Sequence, residues 1–321
     1  MNDKVLTVRI ARRHEEAEGI VSFDLAAVDG STLPAVAAGA HIDVHVPGGL
    51  IRQYSLCNAP SERHRYQIAV LRDPSSRGGS ISLHDSAHEG DILRIGAPRN
   101  HFPLATGTVQ HLLLAGGIGL TPLLSMAEQL AHDKLPFQLH YCARSPARAA
   151  FLERLGNASW SASVWCHFDD GDEDQRLDLN TLLSRPAHDQ HLYVCGPQGF
   201  INAVLAVGRI NNWSPERVHY EYFGAAPVVN ADESTFQVRL VRSGRTVAVP
   251  PRLTVTQALS EAGIDIPVSC EQGVCGTCIT RVLDGEPDHR DLFLTPEEHA
   301  RNDQFLPCCS RSKSSMLVLD L

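Results

Sequence analysis

The chain has 321 residues, a hydrophobic content of 43%, a charged content of 20% and a formal net charge of −9. That length predicts roughly two to three domains, the apolar fraction excludes a disordered chain, and the acidic balance argues against nucleic acid as a partner. The opening Met1-Asn2-Asp3-Lys4-Val5-Leu6 lacks a signal-peptide core, and the most apolar stretch, Leu112 to Ala127, is broken by Gly116, Gly117, Gly119 and Pro122; neither export nor a membrane span is expected.

Residues 1–104 read as strands. Val5–Ile10, His41–Val46, Tyr66–Leu71 and Ile92–Ile95 alternate or run apolar at strand length, with Gly, Pro, Asp and Ser turns between them. Short strands without helices predict an antiparallel β-barrel. Residues 105–227 change period. Strands at His111–Ala115, Phe137–Cys142, Ser163–Phe168 and His191–Cys195 alternate with helices at Leu123–Ala131, Ala147–Leu155 and Leu177–Ser184. This pattern predicts an α/β domain with a parallel sheet, which binds ligands at the carboxyl ends of its strands. Residues 225–234 read as a linker. Residues 228–321 form a third unit: a hairpin, Phe236–Arg242 and Arg245–Val249, turns at Ser243-Gly244, and a helix over Thr256–Ala262 ends at Gly263.

Four motifs carry chemistry. Arg52-Gln53-Tyr54-Ser55 ends a barrel strand with a phosphate-matching guanidinium, an aromatic face and a small hydroxyl. Arg77-Gly78-Gly79-Ser80 offers backbone N–H groups to the same kind of anion. Gly116-Gly117-Ile118-Gly119-Leu120-Thr121-Pro122 lies between a strand and a helix, where a dinucleotide pyrophosphate approaches backbone and helix N-terminus. It is not the G-x-G-x-x-G fingerprint, but Cys195-Gly196-Pro197 ends a later strand of the same sheet, which puts both loops on one rim.

The fourth motif is Cys270-Glu-Gln-Gly-Val-Cys275-Gly-Thr-Cys278, followed by Cys308 and Cys309. C-x4-C-x2-C…C is the spacing of a plant-type [2Fe–2S] ferredoxin. Three thiolates come from one loop, which Gly273 and Gly276 allow to bend. Only one of the adjacent Cys308 and Cys309 can face the cluster from extended backbone, and spacing leaves that choice open. A zinc site would need a second C-x2-C knuckle. With four of nine cysteines committed to a cluster, a reducing, cytoplasmic setting is expected. The cluster specifies one-electron transfer.

In this order the motifs resemble the ferredoxin–NADP reductase superfamily. A C-terminal plant-type ferredoxin fused to that module is similar to the phthalate dioxygenase reductase family, which includes the reductases of vanillate demethylase and carnitine monooxygenase. The resemblance spans the whole chain. It implies an antiparallel β-barrel flavin domain (1–104), an α/β nucleotide domain (105–227) and an α+β, β-grasp ferredoxin domain (228–321). It also selects Cys308, two positions before the Ser310-Arg311 pair, to complete the set Cys270, Cys275, Cys278 and Cys308.

The resemblance further implies that Arg52, Tyr54 and Ser55 bind FMN, with Ser55 near its reactive edge. Val70, Leu71 and Arg72 line it, and Gly79, Ser80 and Ile81 hold its phosphate. Thr121 stands between flavin and nicotinamide, and Phe223 covers the flavin face. Gly117, Gly119, Cys195, Gly196 and Pro197 cradle NADH. Arg144 leaves NADPH as the alternative, and Asp169-Asp170 read as a solvated acidic turn. Ser55, Thr121, Cys195 and Phe223 are the residues expected around the transferred hydride. The implied activity passes electrons from NADH through FMN and the [2Fe–2S] cluster to a terminal Rieske-type oxygenase, from a monomer. The alternatives are another acceptor, a cytochrome P450 or soluble ferredoxin, and a non-enzymatic redox sensor.

Overall fold

The computed structural model describes residues 5–74, 78–107, 110–224, 234–268 and 270–321. Arg77 and most of the linker, residues 225–233, lie outside the described residues, as do residues 1–4. The chain divides into two compact units, residues 1–221 and 222–321.

The first unit opens with β1 (Val5–Ala17), β2 (Ile20–Ala27), β3 (His41–His45), β4 (Ile51–Ser55), β5 (Tyr66–Leu71), α1 (Gly79–Ser86) and β6 (Ile92–Gly96). The six strands pair antiparallel in the order β4-β3-β6-β1-β2-β5. A bridge between Leu56, just past β4, and Ile68 of β5 closes the sheet into a barrel. Inward side chains of Ile10, Phe23, Leu25, Ile42, Val44, Ile68 and Ile95 fill it, as period-2 alternation requires. α1 is the departure from the sequence reading, which expected no helix before residue 105. Gly-Ser-Ile-Ser is a poor helix start, and Gly78 at the N-cap is left-handed with no side-chain cap. The helix forms because Leu83 is fully buried in the barrel core, worth roughly 1.5–3 kcal/mol.

The same unit continues with β7 (Gln110–Gly116), α2 (Leu120–His132), β8 (Phe137–Ala143), α3 (Leu152–Asn157), β9 (Val164–Phe168), α4 (Leu179–Leu183), β10 (Gln190–Cys195), α5 (Gln198–Ile210) and β11 (Val218–Glu221). The sheet is wholly parallel, in the order β11-β10-β7-β8-β9. The chain leaves β7 toward β8 on one side and returns later as β10 on the other, so the strand order reverses between β7 and β10. The helix after β7 begins at Leu120 rather than Leu123 and takes Thr121 and Pro122 into its first turn, a position proline tolerates. Buried Tyr141 and Tyr193 keep their hydroxyls satisfied by the Ala150 and Ala105 N–H groups at 3.0 and 2.9 Å.

Barrel and parallel sheet share a core. One apolar cluster joins Ile20, Ala69 and Phe102 to Leu120, Leu124 and Tyr141. Beside it, Arg154 donates to Gln67 Oε1 (2.9 Å) and pairs with Glu128 (2.8 Å). Gln67 in turn donates to Asp24, which Arg65 pairs at 2.6 Å.

The second unit holds β12 (Phe236–Leu240), β13 (Thr246–Val249), α6 (Val255–Glu261), β14 (Thr280–Asp284), β15 (Pro287–Asp288), α7 (Pro296–Arg301), β16 (Gln304–Phe305), β17 (Arg311–Ser312) and β18 (Met316–Leu319). Its mixed five-stranded sheet runs β13-β12-β18-β14-β16, with β12 and β18 parallel. The predicted hairpin forms, but β12 stops at Leu240 because the turn already closes with Gly244 N–H on Leu240 O (2.9 Å). Both helices start with capping boxes, Thr254 with Gln257 and Thr295 with Glu298. Buried Arg311 donates to the carbonyls of Ser234, Pro250 and Leu253 and lies over the Phe236 ring at 5.1 Å.

Candidate functional site

The two glycine loops meet at the switch point. A Cβ on Gly119 would lie 2.3 Å from the Cys195 carbonyl oxygen, and one on Gly196 would lie 2.9 Å from Gly116 Cα. One on Gly116 would press on Pro197 and Phe200, each at 2.9 Å. The backbones touch where any side chain would hold them apart, which explains glycine at these positions. α2 and α5 both start from this crevice, so two N-termini without side-chain caps turn their positive dipole ends to it. The arrangement fits a dinucleotide pyrophosphate. Thr121 is buried, and its hydroxyl donates to Ile118 O at 3.0 Å.

Cys195 ends β10 fully buried, and Glu221 ends β11 beside it in register. Burial, with the Glu221 carboxyl as a second cause, holds the Cys195 thiol well above its ordinary value. Ser55 is buried at the end of β4, and its hydroxyl hydrogen-bonds the Glu221 carboxyl. Glu221 Oε2 is buried with no hydrogen-bond partner. Burial raises this carboxyl from 4.5 to about 8, with the Ser55 bond opposing. Sequence reasoning placed Ser55 and Cys195 here and missed Glu221. Its only signal was an acid at a strand end, two residues before Phe223.

A neutral Glu221 at pH 7 has a consequence for stability. Below pH 4.5 the carboxyl is protonated in both folded and unfolded chains. As pH rises from 4.5 to about 8 the unfolded group ionises while the folded one does not, so stability falls across that window. The loss is on the order of a few kcal/mol. Glu221→Gln is expected to flatten thermal stability between pH 5 and about 8 relative to the parent. Parallel melting curves for the two proteins would remove the buried acid from this account.

On the barrel, Arg52 is buried against α1. A Cβ on Gly79 would lie 2.6 Å from Arg52 Cγ and 2.8 Å from its Nε. The first turn of α1, with Gly79, Ser80 and Ile81, therefore lies against the guanidinium side chain, a pairing that fits a phosphate. Ser80 Oγ accepts the Asp73 N–H at 3.2 Å. Burial pushes the half-buried Tyr54 phenol well above its usual value, opposed by Arg52. Val70 is buried, Leu71 is exposed, and Arg72 is exposed and paired with Asp85. Phe223 belongs to the second unit and is 36% exposed. Next to it, a Cβ on Gly224 would lie 2.6 Å from Gln272 Oε1 of the cysteine loop.

In that loop Glu271, Gly273 and Gly276 are left-handed, with φ of 54°, 73° and 72°. Cβ atoms on the two glycines would reach Cys309 Sγ at 2.5 Å and the Phe293 ring at 2.3 Å. The bend gathers the sulfurs. Cys270 bonds Cys275, and Cys308 bonds both Cys278 and Cys309. Cys270, Cys278 and Cys308 are buried and Cys275 is less so; none of the nine cysteines forms a disulfide. Cys308 packs with Cys278, Leu294 and Leu306, with Cys309 at the margin of that cluster. The Gln272 N–H donates to Cys270 Sγ at 3.3 Å, and Thr277 Oγ1 lies 3.2 Å from Cys275 Sγ. The Cys270 thiol, followed by Thr277, lowers the Cys275 thiol below its ordinary value. Four converging sulfurs at this spacing fit a [2Fe–2S] cluster.

Two family models match the chain: an oxidoreductase NAD-binding domain over residues 113–206 and a 2Fe-2S iron-sulfur cluster binding domain over residues 238–313. The chain is 53% identical over 317 residues to a vanillate O-demethylase oxidoreductase of Pseudomonas sp. (strain HR199 / DSM 7063), covering 99% of this chain and 100% of that one. It is 42% identical over 320 residues to a phthalate dioxygenase reductase of Burkholderia cepacia, covering 99% and 98%. A solved phthalate dioxygenase reductase, described as a modular structure for electron transfer from pyridine nucleotides to [2Fe–2S], superposes with a TM-score of 0.83 over 99% of this chain and 98% of that chain, at 42% identity. Among the described residues, no helix is long and apolar enough to cross a membrane.

Proposed function

The chain belongs to the phthalate dioxygenase reductase and vanillate demethylase reductase family, and from this we propose that its flavin is FMN, its hydride donor NADH and its acceptor a terminal Rieske-type oxygenase. It is an NAD(P)H-dependent flavin and 2Fe-2S oxidoreductase, the reductase component of such an oxygenase. Its three large sheets are an antiparallel flavin-binding sheet, a parallel NAD-binding sheet and a mixed ferredoxin sheet. The observation that supports the reading most is the backbone contact between the Gly116–Gly119 loop and Cys195-Gly196 at the switch point.

When bound, FMN would supply the conversion of a hydride's two electrons into single ones, and a [2Fe–2S] cluster would carry one at a time. The chain's own residues position these groups. The N-termini of α2 and α5 bind the NADH pyrophosphate, with Gly117, Gly119, Gly196 and Pro197 admitting it to the backbone. Arg52 and the first turn of α1 hold the flavin phosphate, and Tyr54 packs beside the ring. Ser55 stands near the flavin's reactive edge, Thr121 between flavin and nicotinamide, and Cys195 on the nicotinamide side. Glu221 stays protonated there, which leaves the pocket without a negative charge that would favour the cationic NAD+ ring over NADH. The Asp169 and Asp170 N–H groups bond the carbonyls of Ala143 and Arg144 at the same rim. Cys270, Cys275, Cys278 and Cys308 hold the cluster. The protein acts as a monomer in a reducing cytoplasm, forming a transient complex with its oxygenase.

The purified protein is expected to show flavin and [2Fe–2S] absorption, to reduce cytochrome c faster with NADH than with NADPH, and to release FMN on heating. Release of FAD would overturn the flavin assignment. A colourless protein would overturn the whole reading.

A further inference from the structure

Behind the cysteine loop lies a second group of metal-type donors that electron transfer does not use. His289, Asp291 and His299 each bring one ligand atom within 4.8 Å of the others. The Asp291 side chain is 0% exposed, His289 9% and His299 28%. Asp291 Oδ2 is 3.1 Å from His299 Nε2, and Asp291 Oδ1 is 3.7 Å from His289 Nδ1.

The decisive atom is His289 Nδ1, buried without a hydrogen-bond partner. The other nitrogen of that ring, Nε2, is 3.2 Å from Asn302 Oδ1. With the amide oxygen accepting, Nε2 carries the proton and Nδ1 presents a bare lone pair. That lone pair faces a carboxylate oxygen, and two acceptors in a buried space repel unless a cation lies between them. A tetrahedral cation with ligands at about 2.1 Å sets its donors about 3.4 Å apart; the carboxylate presents a different oxygen to each imidazole, Oδ2 to His299 at 3.1 Å and Oδ1 to His289 at 3.7 Å. Fixing one imidazole nitrogen through an outer amide is also how metal-bound histidines are oriented.

We propose that His289, Asp291 and His299 bind one divalent cation of zinc-like chemistry, with its remaining position open to water on the His299 side. Two imidazoles in three donors disfavour calcium and magnesium, which take oxygen. The two rings now stack with centroids 4.3 Å apart, so binding turns the partly exposed His299 ring off its neighbour. The site braces the cluster loop from behind. Asp291 also accepts the Leu294 N–H (2.9 Å) and the Ser310 hydroxyl (3.4 Å). The adjoining Leu292 N–H donates to Gly273 O at 3.0 Å.

The test titrates Zn²⁺ into the holoprotein by calorimetry, with iron content and visible absorption followed in parallel. The parent is expected to bind one Zn²⁺ more tightly than His289→Gln and His299→Gln by about 100-fold or more, with iron unchanged in all three. Zinc X-ray absorption should show nitrogen and oxygen neighbours near 2.0–2.2 Å. Equal affinity in parent and variants, loss of iron on zinc uptake, or a zinc–sulfur distance of about 2.3 Å would each overturn the proposal. So would no binding, with a proton on His289 Nδ1 filling the gap. If His289→Gln does not fold, His299→Gln, at the exposed ring, supplies the same comparison.

Discussion

Cys308→Ser is expected to abolish NADH-driven cytochrome c reduction while sparing ferricyanide reduction, which the flavin alone supports. Cys308 is buried with Cys278 and bonded to it, so the substitution removes a thiolate from the centre of the sulfur group. A serine oxygen is a poor substitute for a cluster thiolate, and the loss should exceed the roughly 10–100-fold typical of a change outside the ligand shell. Iron content and the reduced-cluster resonance should fall with it. Cys309→Ser is the control. Cys309 packs at the margin of the group, and its replacement should leave iron content intact. The reverse pattern would make Cys309 the fourth ligand.

Gly119→Ala is expected to cut every NADH-dependent activity, ferricyanide reduction included, by roughly 100-fold, because misplacing a reactant by about 1 Å costs that much. The added methyl would fall 2.3 Å from the Cys195 oxygen and 2.5 Å from the Gly196 nitrogen, both backbone atoms that no rotamer change can move. The two loops must separate, and the crevice with them. Dithionite, which needs no nucleotide site, should still reduce flavin and cluster. Gly117→Ala separates strain from collision: its φ is 54°, yet nothing lies within 4 Å of the added methyl. That variant should lose about 1 kcal/mol of stability and bind NADH more weakly, without forcing the two loops apart. Gly119→Ala within a few-fold of the parent would show that the dinucleotide does not need this contact.

The legible parts of the sequence were those with local signals. The three-way change of period, the glycine loops at strand ends and the C-x4-C-x2-C run each follow from spacing within a few residues, and the structure brings the glycine loops together as expected. α1 carried no such signal, because Leu83 in the barrel core makes it helical against the preference of Gly79 and Ile81. α7 did carry one: Thr295, Pro296 and Glu298 form a capping box that the sequence reading passed over. Glu221 was illegible for a different reason. Its proton depends on burial between Ser55 and Cys195, which come from strands far apart in sequence, and no pattern along the chain reports a desolvated neighbour. The Arg154–Gln67–Asp24 links are hidden in the same way.

The core shared by Ile20, Ala69 and Phe102 with Leu120 and Tyr141 bears on how hydride transfer is timed. Enzymes whose two substrate-bearing lobes close over a hinge spend binding energy on ordering the lobes at each turnover. Here the barrel and the parallel sheet were brought together once, when the chain folded. The entropy of ordering the two sheets against each other is therefore met at folding rather than at each turnover.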